Sequence, residues 1–357
     1  MVPRMIPDAL KKLIARENLS RSEAEACMEQ ILSGNAGDAL IAALLIGLRM
    51  KGETVDELVG FATAMRRHAV SIFPDGHGHA DEMLVDTCGT GGDSCDTFNI
   101  STATAFVVAG AGVRVAKHGN RSASSCTGAA DVLEQLGVVI DQSPERVRQA
   151  IEQIGIGFLF APALHTAMKH AMPARRALGV RTVFNLLGPL TNPAGATAQV
   201  VGVSAPQHIE LLARALAQLG VKRAFVVHGA DGLDEISLSA ETHVAELGGG
   251  AIRSYKLSPE DFGLHRAPAN AYAGGDAKHN AEIIHKILGR SLLYREHTAH
   301  REIVLANASA ALVAAGRAGN FRDGVNLAAD SIDSGAAREK LDSLVRFTQA
   351  PGGPASA

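Results

Sequence analysis

The 357-residue sequence predicts an α/β protein: a small N-terminal helical domain followed by a large α/β domain with a mainly parallel central sheet. Three observations lead to this prediction. The chain is longer than the roughly 250–300 residues at which a single core usually stops growing. Its first 70 residues have helical periodicity, and from residue 83 onward short β-branched runs alternate with helical stretches. We place the helical domain at residues 1–74 and the α/β domain at residues 75–357.

The predicted helical domain contains amphipathic stretches with clear start signals. Ser-x-x-Glu at residues 20–23 and Thr-x-x-Glu at residues 54–57 are capping-box patterns, and apolar residues then recur at helical spacing. Residues 38–50 are apolar almost all round, which is typical of a helix buried in a bundle. The segment FPDGHGHADE at residues 73–82 breaks the pattern, and we interpret it as the linker to the next domain.

The predicted α/β domain consists of βαβ units. Runs such as MLVD, VRVA, GIGFLF, AQVVGV and RAFVVH have strand character, and helical patterns at residues 144–153, 207–219 and 278–288 lie between or after them. Residues 243–257 instead predict an antiparallel hairpin that turns at three consecutive glycines. Alanine-rich helices are expected at residues 303–347.

The composition argues against several classes of protein. The 34 basic and 37 acidic residues give a net charge of −3, so no bulk attraction to nucleic acid or to a membrane is expected. The longest apolar run, residues 39–48, is too short to span a bilayer, and the N-terminus lacks the apolar region of a signal peptide. Four cysteines make no disulfide framework in a chain of this length, so we expect a cytoplasmic protein.

The segment DTCGTGGDSCDTFNIST at residues 86–102 is the first candidate site. Its glycines follow a predicted strand and precede a predicted helix, a place where backbone N–H groups and the helix N-terminus can receive an anion. The segment matches neither the Walker loop nor the dinucleotide fingerprint, because the lysine and the spacing are missing. A plain structural turn explains the glycines equally well.

A second candidate segment, KHGNRSASS at residues 117–125, follows the next predicted strand. It combines two cationic side chains with an asparagine and several serines, and such groups neutralise and hydrogen-bond phosphate. Ligands of open α/β sheets lie beyond the carboxyl ends of the strands, so the two segments together predict an anion-binding site. Taken alone, the second segment is also compatible with a solvated charged loop.

A third segment, GADGLDEISL at residues 229–238, places Asp234 and Glu235 side by side. Carboxylates on a loop suit Mg²⁺, which prefers oxygen ligands and shares them with substrate phosphates. A general acid paired with a general base fits less well, because consecutive side chains seldom converge on one reacting atom. A solvated acidic turn is the alternative interpretation.

Together, these motifs resemble those of the anthranilate phosphoribosyltransferase family of tryptophan biosynthesis. The resemblance rests on GTGGD, TFNIST, KHGNRSASS, HTAMKH, VRTVFNLLGPLTNPA, DGLDE, GGDAKHNA and SIDSG, which follow the family's order over nearly the whole chain. It implies transfer of ribose 5-phosphate from phosphoribosyl pyrophosphate to the amine of anthranilate, with release of pyrophosphate. It also implies Mg²⁺ as the cofactor and a homodimer formed through the helical domain.

The resemblance further implies site residues, each at its matching position, and assigns no single catalytic acid or base. The metal positions are Ser101, Asp234 and Glu235, and the anthranilate positions are Gly89, Asn120 and Arg175. The positions for phosphoribosyl pyrophosphate are Gly89, Gly92, Asp93, Thr97, Asn99, Ile100, Ser101, Thr102, Lys117, His118, Gly119, Asn120, Arg121, Ser122, Ala123, Ser124 and Ser125.

The chain departs from the family pattern at three positions and in one stretch, RSLLYREHTAHRE at residues 290–302, which lacks the family's usual Gly-Pro. Ser94 and Cys126 stand where the family commonly has glycine and lysine, and Ala129 replaces a serine that contacts the phosphoribosyl group.

Two alternatives share parts of this pattern. A pyrimidine nucleoside phosphorylase-like enzyme would bind a base and use phosphate as the nucleophile, and the intact GTGGD and DGLDE motifs argue for a pyrophosphate donor with metal instead. A non-catalytic nucleic-acid-binding relative would need a basic helix, which the sequence lacks.

Overall fold

The computed structural model describes residues 5–75, 83–93, 95–122, 127–289 and 298–351. In this part of the chain a group of N-terminal helices precedes a seven-stranded sheet that is packed between helices. The predicted fold class is therefore confirmed. None of the helices in the described ranges combines the length and the apolar character needed to cross a membrane.

The N-terminal helices begin where the capping signals predict. Both capping boxes form, with the Ser20 and Thr54 side chains accepting hydrogen bonds from the backbone N–H groups of Glu23 and Glu57. The Glu57 carboxylate is fully buried and also accepts hydrogen bonds from the Leu19 backbone N–H at 2.9 Å and from Lys51 at 3.0 Å. The helices are α1 (Met5–Ile14), α2 (Arg21–Leu32), α3 (Asp38–Lys51) and α4 (Val55–His68).

The sheet has the strand order β3-β2-β1-β4-β5-β6-β7. The five neighbouring strands β3, β2, β1, β4 and β5 run parallel to one another. Strand β6 is antiparallel to both β5 and β7, and the β6–β7 pair confirms the predicted hairpin. The strands are β1 (Leu84–Gly89), β2 (Arg114–Gly119), β3 (Ile156–Phe160), β4 (Ala198–Gly202), β5 (Arg223–Gly229), β6 (Thr242–Gly248) and β7 (Ala251–Leu257).

Strand β2 is longer than the sequence predicts. Lys117 and His118 were expected in a loop, but they pair with Phe158 and Leu159 of β3 and belong to the strand. The first strand, β1, lies between β2 and β4. Strands β2 and β3 therefore lie on one side of β1, and the strands that follow in the chain, from β4 to β7, lie on its other side. Such a switch point opens a crevice at the carboxyl ends of the strands.

The helices that cover the sheet share two large cores. One of these cores joins the N-terminal helices to α9, α10 and α11, and Arg66 crosses the junction by donating hydrogen bonds to the carbonyls of Leu190 at 2.7 Å and Leu219 at 2.9 Å. The boundary at residue 74 stays a prediction. The helices are α5 (Ile100–Gly110), α6 (Ala129–Gln135), α7 (Pro144–Gln153), α8 (Ala161–Leu164), α9 (Met172–Leu178), α10 (Phe184–Leu187), α11 (His208–Gln218), α12 (Ala277–Leu288), α13 (Ala299–Ala314), α14 (Phe321–Asp333) and α15 (Ala336–Gln349).

Candidate active site

A cleft of about 350 Å³ lies at the carboxyl ends of β1 and β2, beside the switch point. The three candidate segments meet there, and Arg175 joins them from α9. The predicted residues that line the cleft are Gly89, Gly92, Asp93, Thr97, Asn99, Ile100, Ser101, Lys117, His118, Gly119, Asn120, Arg121, Ser122, Arg175, Asp234 and Glu235.

Four predicted residues are not placed in the cleft. Thr102 is only 1 % exposed and is not among the lining residues, because the turn of α5 carries it about 100° away from Ser101 and into the interior. Ala123, Ser124 and Ser125 lie outside the described residues, as do the variable positions Ser94 and Cys126.

The glycines after β1 allow two charged side chains to approach the backbone. The Asp234 carboxylate accepts a hydrogen bond from the Gly91 backbone N–H at 3.0 Å, and a Cβ atom at Gly89 would lie 2.9 Å from Asp234 Oδ2. A Cβ atom at Gly92 would lie 1.7 Å from Arg181 Nη1. The glycine loop thus fits against Asp234 and Arg181, and its Gly91 amide, expected to face an anion, is held by Asp234.

The acidic pair lies in surroundings that disfavour its charged form. Burial raises the pKa of Asp234 to about 7, and the neighbouring Asp93 carboxylate adds to the effect. Burial also raises the pKa of Glu235 well above its ordinary value, and the Asp234 carboxylate acts in the same direction. Such a crowded acidic site favours a bound cation.

The donor atoms around this pair fit Mg²⁺. The Ser101 hydroxyl and the two carboxylates line the same cleft, so every candidate side-chain ligand is an oxygen. Across the described ranges, no three His, Cys, Asp or Glu side chains converge into a metal-binding group. A magnesium ion here would therefore need further oxygens from a substrate, which is how Mg²⁺ commonly binds phosphates.

Lys117 lines the cleft from the end of β2, where it is buried rather than placed in an exposed loop. It is 3 % exposed, and its ammonium group donates hydrogen bonds to the Thr87 carbonyl at 2.5 Å and to Ser101 Oγ at 3.2 Å. Burial lowers the Lys117 pKa, while the Asp86 carboxylate acts in the opposite direction. This cation therefore lies at the cleft wall and is hydrogen-bonded to the Ser101 hydroxyl.

Arg121 is already paired in this structure. Its guanidinium donates two hydrogen bonds to Glu134, at 2.6 and 2.8 Å, and a third to Asp131 at 3.1 Å. The preceding residue, Asn120, uses its side-chain oxygen to accept a hydrogen bond from the Arg121 backbone N–H at 2.7 Å. A phosphate contact by Arg121 would have to compete with these two carboxylates.

Arg175 faces the cleft from α9 and is half-buried. Its guanidinium lies over the Phe184 ring, 4.9 Å from the centroid, and Nη1 contacts Met172 Sδ at 3.8 Å. Burial lowers the Arg175 pKa, and no carboxylate in the described part of the chain offsets this effect. The neighbouring Arg176 is exposed. Arg175 is thus the better placed of the two to receive an anion.

Two residues in or beside the cleft, Arg181 and His165, were given no role in the sequence analysis. Arg181 lines the cleft and donates a hydrogen bond to the Thr90 carbonyl at 3.1 Å. His165 packs its ring against His118, with 5.2 Å between the centroids. Both residues lie in motifs that carry the family resemblance, HTAMKH and VRTVFNLLGPLTNPA, and this was the signal available for finding them.

Comparisons with known proteins give consistent results across the chain. A family model described as "Glycosyl transferase family, a/b domain" matches residues 81–338, and one described as "Glycosyl transferase family, helical bundle domain" matches residues 7–69. The anthranilate phosphoribosyltransferase of Symbiobacterium thermophilum is 53% identical over 95% of this chain and 96% of its own length. That of Desulfosudis oleivorans is 54% identical over 98% of this chain and 100% of its own length.

Solved structures of similar proteins agree with the sequence relatives. The crystal structure of anthranilate phosphoribosyltransferase from Thermus thermophilus matches with a TM-score of 0.88 and 44% identity, covering 96% of this chain and 100% of that one. The Saccharomyces cerevisiae enzyme in complex with PRPP and Mg matches with a TM-score of 0.84 and 27% identity, covering 96% and 97%.

Proposed function

The chain belongs to the anthranilate phosphoribosyltransferases of this glycosyl transferase family, and we propose the corresponding reaction for it. The 5-phosphoribosyl group passes from phosphoribosyl pyrophosphate to the amine of anthranilate, giving N-(5-phosphoribosyl)anthranilate and pyrophosphate in tryptophan biosynthesis. The observation that carries the proposal is the contact between the glycine loop and Asp234 at the switch point of the sheet. The relatives support neither the nucleoside phosphorylase alternative nor the nucleic-acid-binding one.

Ser101, Asp234 and Glu235 would hold Mg²⁺. The oxygen-only donor set and the closely spaced carboxyl groups, whose charged forms a bound cation would favour, support this assignment, and the yeast relative was solved with Mg. When bound, the ion supplies positive charge that stabilises the departing pyrophosphate.

The glycine loop, the start of α5 and the end of β2 would hold phosphoribosyl pyrophosphate. Departure of pyrophosphate leaves positive charge on the ribose C1, so the transition state is expected to resemble an oxocarbenium ion. The protein's task is then to keep the donor in position and to stabilise the leaving group, with Lys117 beneath Ser101 adding a fixed positive charge. Arg181, which the sequence did not assign, adds a second cation beside the loop.

Arg175 would bind the anthranilate carboxylate, with Gly89 and Asn120 as further contacts. A guanidinium without a carboxylate partner in the described structure, held on an aromatic ring at the cleft, supports this role. The anthranilate amine is uncharged at neutral pH, so no strong base is needed to activate it. This agrees with a site in which we assign no catalytic acid or base.

The assembly we propose is a cytoplasmic homodimer formed through the N-terminal helices. Ile14 and Met50, which are 83% and 67% exposed at one end of α1 and α3, support an apolar contact there. Analytical ultracentrifugation of the purified protein tests it, and a monomer at micromolar concentration would contradict it.

A fluorescence assay tests the proposed reaction directly. Purified protein with phosphoribosyl pyrophosphate and Mg²⁺ should consume anthranilate and release pyrophosphate in equal amounts. Chelation of the metal should stop both. Absence of anthranilate consumption at every Mg²⁺ concentration would overturn the proposal, and consumption of a nucleoside with inorganic phosphate would point to a phosphorylase.

A further inference from the structure

A buried asparagine, Asn280, lies in the first turn of α12 and has no role in the reaction described so far. It belongs to the GGDAKHNA motif, is 1% exposed and is not among the residues that line the cleft. The other buried side chains of this helix, such as those of Ile283 and Ile284, are all apolar. A buried amide costs free energy unless its donors and acceptors are satisfied, so packing alone does not explain an asparagine at this position.

A series of hydrogen bonds runs in one direction through Asn280 and Asn99. The Gly275 backbone N–H donates to Asn280 Oδ1 at 2.7 Å, and Asn280 Nδ2 donates to Asn99 Oδ1 at 3.1 Å. Asn99 Nδ2 in turn donates to the Thr127 carbonyl at 3.2 Å. A last bond, from Thr127 Oγ1 to the Gly275 carbonyl at 3.0 Å, closes the series into a ring. The ring joins the residue before α5 to the segments that precede α6 and α12.

The backbone groups of this ring fix the orientation of both amides. A backbone N–H can only donate and a backbone carbonyl can only accept, so Gly275 selects the oxygen of Asn280 and Thr127 selects the nitrogen of Asn99. Rotating either amide by half a turn would place donor against donor and acceptor against acceptor. The Asn99 amide therefore has a single favourable orientation as long as Asn280 supports it.

Asn99 has a use for this support, because its side chain does not cap its own helix. It is the N-cap residue of α5, yet its side chain accepts no capping hydrogen bond from the helix. The same side chain lines the cleft. The ring uses one amide hydrogen and one lone pair of the oxygen, out of two each. Within the described structure, one N–H and one lone pair are thus left for a ligand, in directions that the ring determines.

We propose that Asn280 is a positioning residue for phosphoribosyl pyrophosphate: it holds the Asn99 amide in the orientation that presents both an N–H group and an oxygen to this substrate. The inference rests on the proposed function, in which Asn99 contacts phosphoribosyl pyrophosphate. The neighbouring backbone supports it, because Gly274 donates to the Asp96 carbonyl at 2.7 Å. A Cβ atom at Gly274 would lie 2.4 Å from the Phe98 backbone nitrogen. The segment before α12 is thus packed directly against the segment that carries Asn99.

Asn280→Leu and Asn99→Ala, alone and combined, test the proposal by steady-state kinetics. Asn280→Leu keeps the approximate volume of the side chain but removes its amide, so the KM for phosphoribosyl pyrophosphate should rise about five- to tenfold. The anthranilate KM should change by less than about twofold, because Asn99 is not among the positions assigned to anthranilate. An equal increase for both substrates would overturn the proposal, since it would indicate general damage.

The combined variant separates positioning from a purely structural role. Because Asn280 acts through Asn99, Asn280→Leu should cause no further rise in the KM for phosphoribosyl pyrophosphate in the Asn99→Ala background. Losses that multiply would overturn the proposal. A wild-type KM in Asn99→Ala alone would overturn it as well.

Asn280→Asp keeps the proposal testable if the leucine variant does not fold. An ionised carboxylate still accepts from the Gly275 N–H but cannot donate to Asn99, so the Asn99 amide has to turn its nitrogen toward the carboxylate. The bond to the Thr127 carbonyl is then lost, and the same selective rise in KM is expected. A wild-type KM for phosphoribosyl pyrophosphate at both neutral and alkaline pH would overturn the proposal.

Ser331 in α14 provides a matched control. It is buried and donates to the Val107 carbonyl of α5 at 2.8 Å, about two helical turns beyond Asn99. Ser331→Ala therefore also removes a buried hydrogen bond to α5, and it should lower the melting temperature without changing either KM. A selective rise in the KM for phosphoribosyl pyrophosphate equal to that of Asn280→Leu would overturn the proposal. An inactive wild-type protein would count against the proposed function instead, and calorimetric binding of phosphoribosyl pyrophosphate to the same variants would then decide the role of Asn280.

Discussion

Arg175 and Arg176 are adjacent in α9 but have different surroundings. Arg175 is half-buried, lines the cleft and lies over Phe184, whereas Arg176 is exposed. Successive helical residues point about 100° apart, so only one of two neighbours can face the cleft directly. The sequence alone did not determine which arginine that would be, because α9 is too short to have a clear apolar face.

Replacing Arg175 with alanine should weaken anthranilate binding selectively. A charge-assisted hydrogen bond contributes roughly 1.5–3 kcal/mol, so the anthranilate KM should rise about ten- to a hundredfold at roughly 1.4 kcal/mol per decade. The KM for phosphoribosyl pyrophosphate should barely change. Steady-state kinetics measure both values, with Arg176→Ala as the control that should match the wild type. If Arg175→Ala has the same anthranilate KM as the control Arg176→Ala, the carboxylate of anthranilate binds elsewhere.

The acidic pair allows a second test at the scale of single residues. Asp234→Ala combined with Glu235→Ala should nearly abolish activity at limiting Mg²⁺ and leave the fold intact, because both carboxylates are proposed to hold the ion. The measurement is the initial rate across a Mg²⁺ titration, with circular dichroism to check folding. The exposed pair of Glu241 and Lys256 provides the control Glu241→Ala. A double variant with wild-type rates at low Mg²⁺ would exclude the metal assignment.

Single residues were predictable from the sequence where a motif named them, but their surroundings were not. Lys117 was expected as an exposed phosphate contact, yet it is buried and bonded to Ser101. Asp86 was part of the quoted glycine segment but received no role, because its partner Asn192 is 106 residues away in the chain. Such burial and pairing arise from strands that meet only in three dimensions.

At the scale of elements, two adjacent glycines of the loop after β1, Gly91 and Gly92, can be compared as sites for substitution by alanine. Gly91 and Gly92 both have positive φ, at 61° and 71°, so alanine at either position is strained by roughly 1 kcal/mol. They differ in what a Cβ atom would meet. At Gly91 nothing lies within 4 Å, whereas at Gly92 the Arg181 guanidinium is in the way.

Gly92→Ala should therefore damage catalysis more than Gly91→Ala, and its additional cost in stability should not exceed the one hydrogen bond that Arg181 loses, about 1 kcal/mol. Displacing Arg181 removes its hydrogen bond to Thr90 and a cation beside the loop, so the KM for phosphoribosyl pyrophosphate should rise about tenfold for a net loss near 1.4 kcal/mol. Thermal unfolding and steady-state kinetics measure the two effects. In an Arg181→Ala background, Gly92→Ala should add no further increase in KM. A continued increase there would mean that the loop itself, and not the arginine, was disturbed.

Periodicity predicted the long elements and missed the short ones. The capping boxes located the first residues of α2 and α4, and the glycine turn located the β6–β7 hairpin. Helices α8 and α10 have four residues each, which is too few for a 3.6-residue repeat to be visible. Strand β2 runs on through Lys117–His118–Gly119 because β3 pairs with these residues, and no local preference of this polar tripeptide indicates a strand.

At the scale of the whole molecule, the predicted order of helical and α/β parts is correct, and the boundary between them stays a prediction. Leu44 and Phe61 of the N-terminal helices share a core with Leu187 and Leu212 from much later in the chain. A linear division of the sequence cannot reveal such a core, because the contacts join segments more than 100 residues apart. The site lies near this junction, so stability and catalysis are expected to be linked.

The histidine pair near this junction gives the whole fold a dependence on pH. Burial lowers the pKa of His165 to about 4 and that of His118 to about 3, in the latter case with a contribution from the His165 ring. Above the ordinary histidine value of 6.5, both folded and unfolded chains hold neutral imidazoles and stability is complete. Below pH 6.5, the two histidines take up protons in the unfolded chain but stay neutral in the folded chain. The free energy of unfolding therefore falls as the pH decreases toward 4.

Replacing His165 with asparagine, which removes the titrating imidazole and keeps a polar side chain, should flatten this dependence. Each histidine in this window contributes at most about 1.4 kcal/mol per pH unit, so the wild type should lose up to that much more than His165→Asn for each unit between pH 6.5 and 4. The raised pKa of Asp234 acts in the opposite direction over this whole range, because the folded chain takes up a proton on Asp234 at higher pH than the unfolded chain does. The test is therefore the difference between the two proteins in the free energy of unfolding, measured by urea titration at several pH values. If the free energies of unfolding of the two proteins change with pH in parallel, His165 does not stay neutral in the folded protein. A difference between them that grows steadily below pH 6.5 would show that it does.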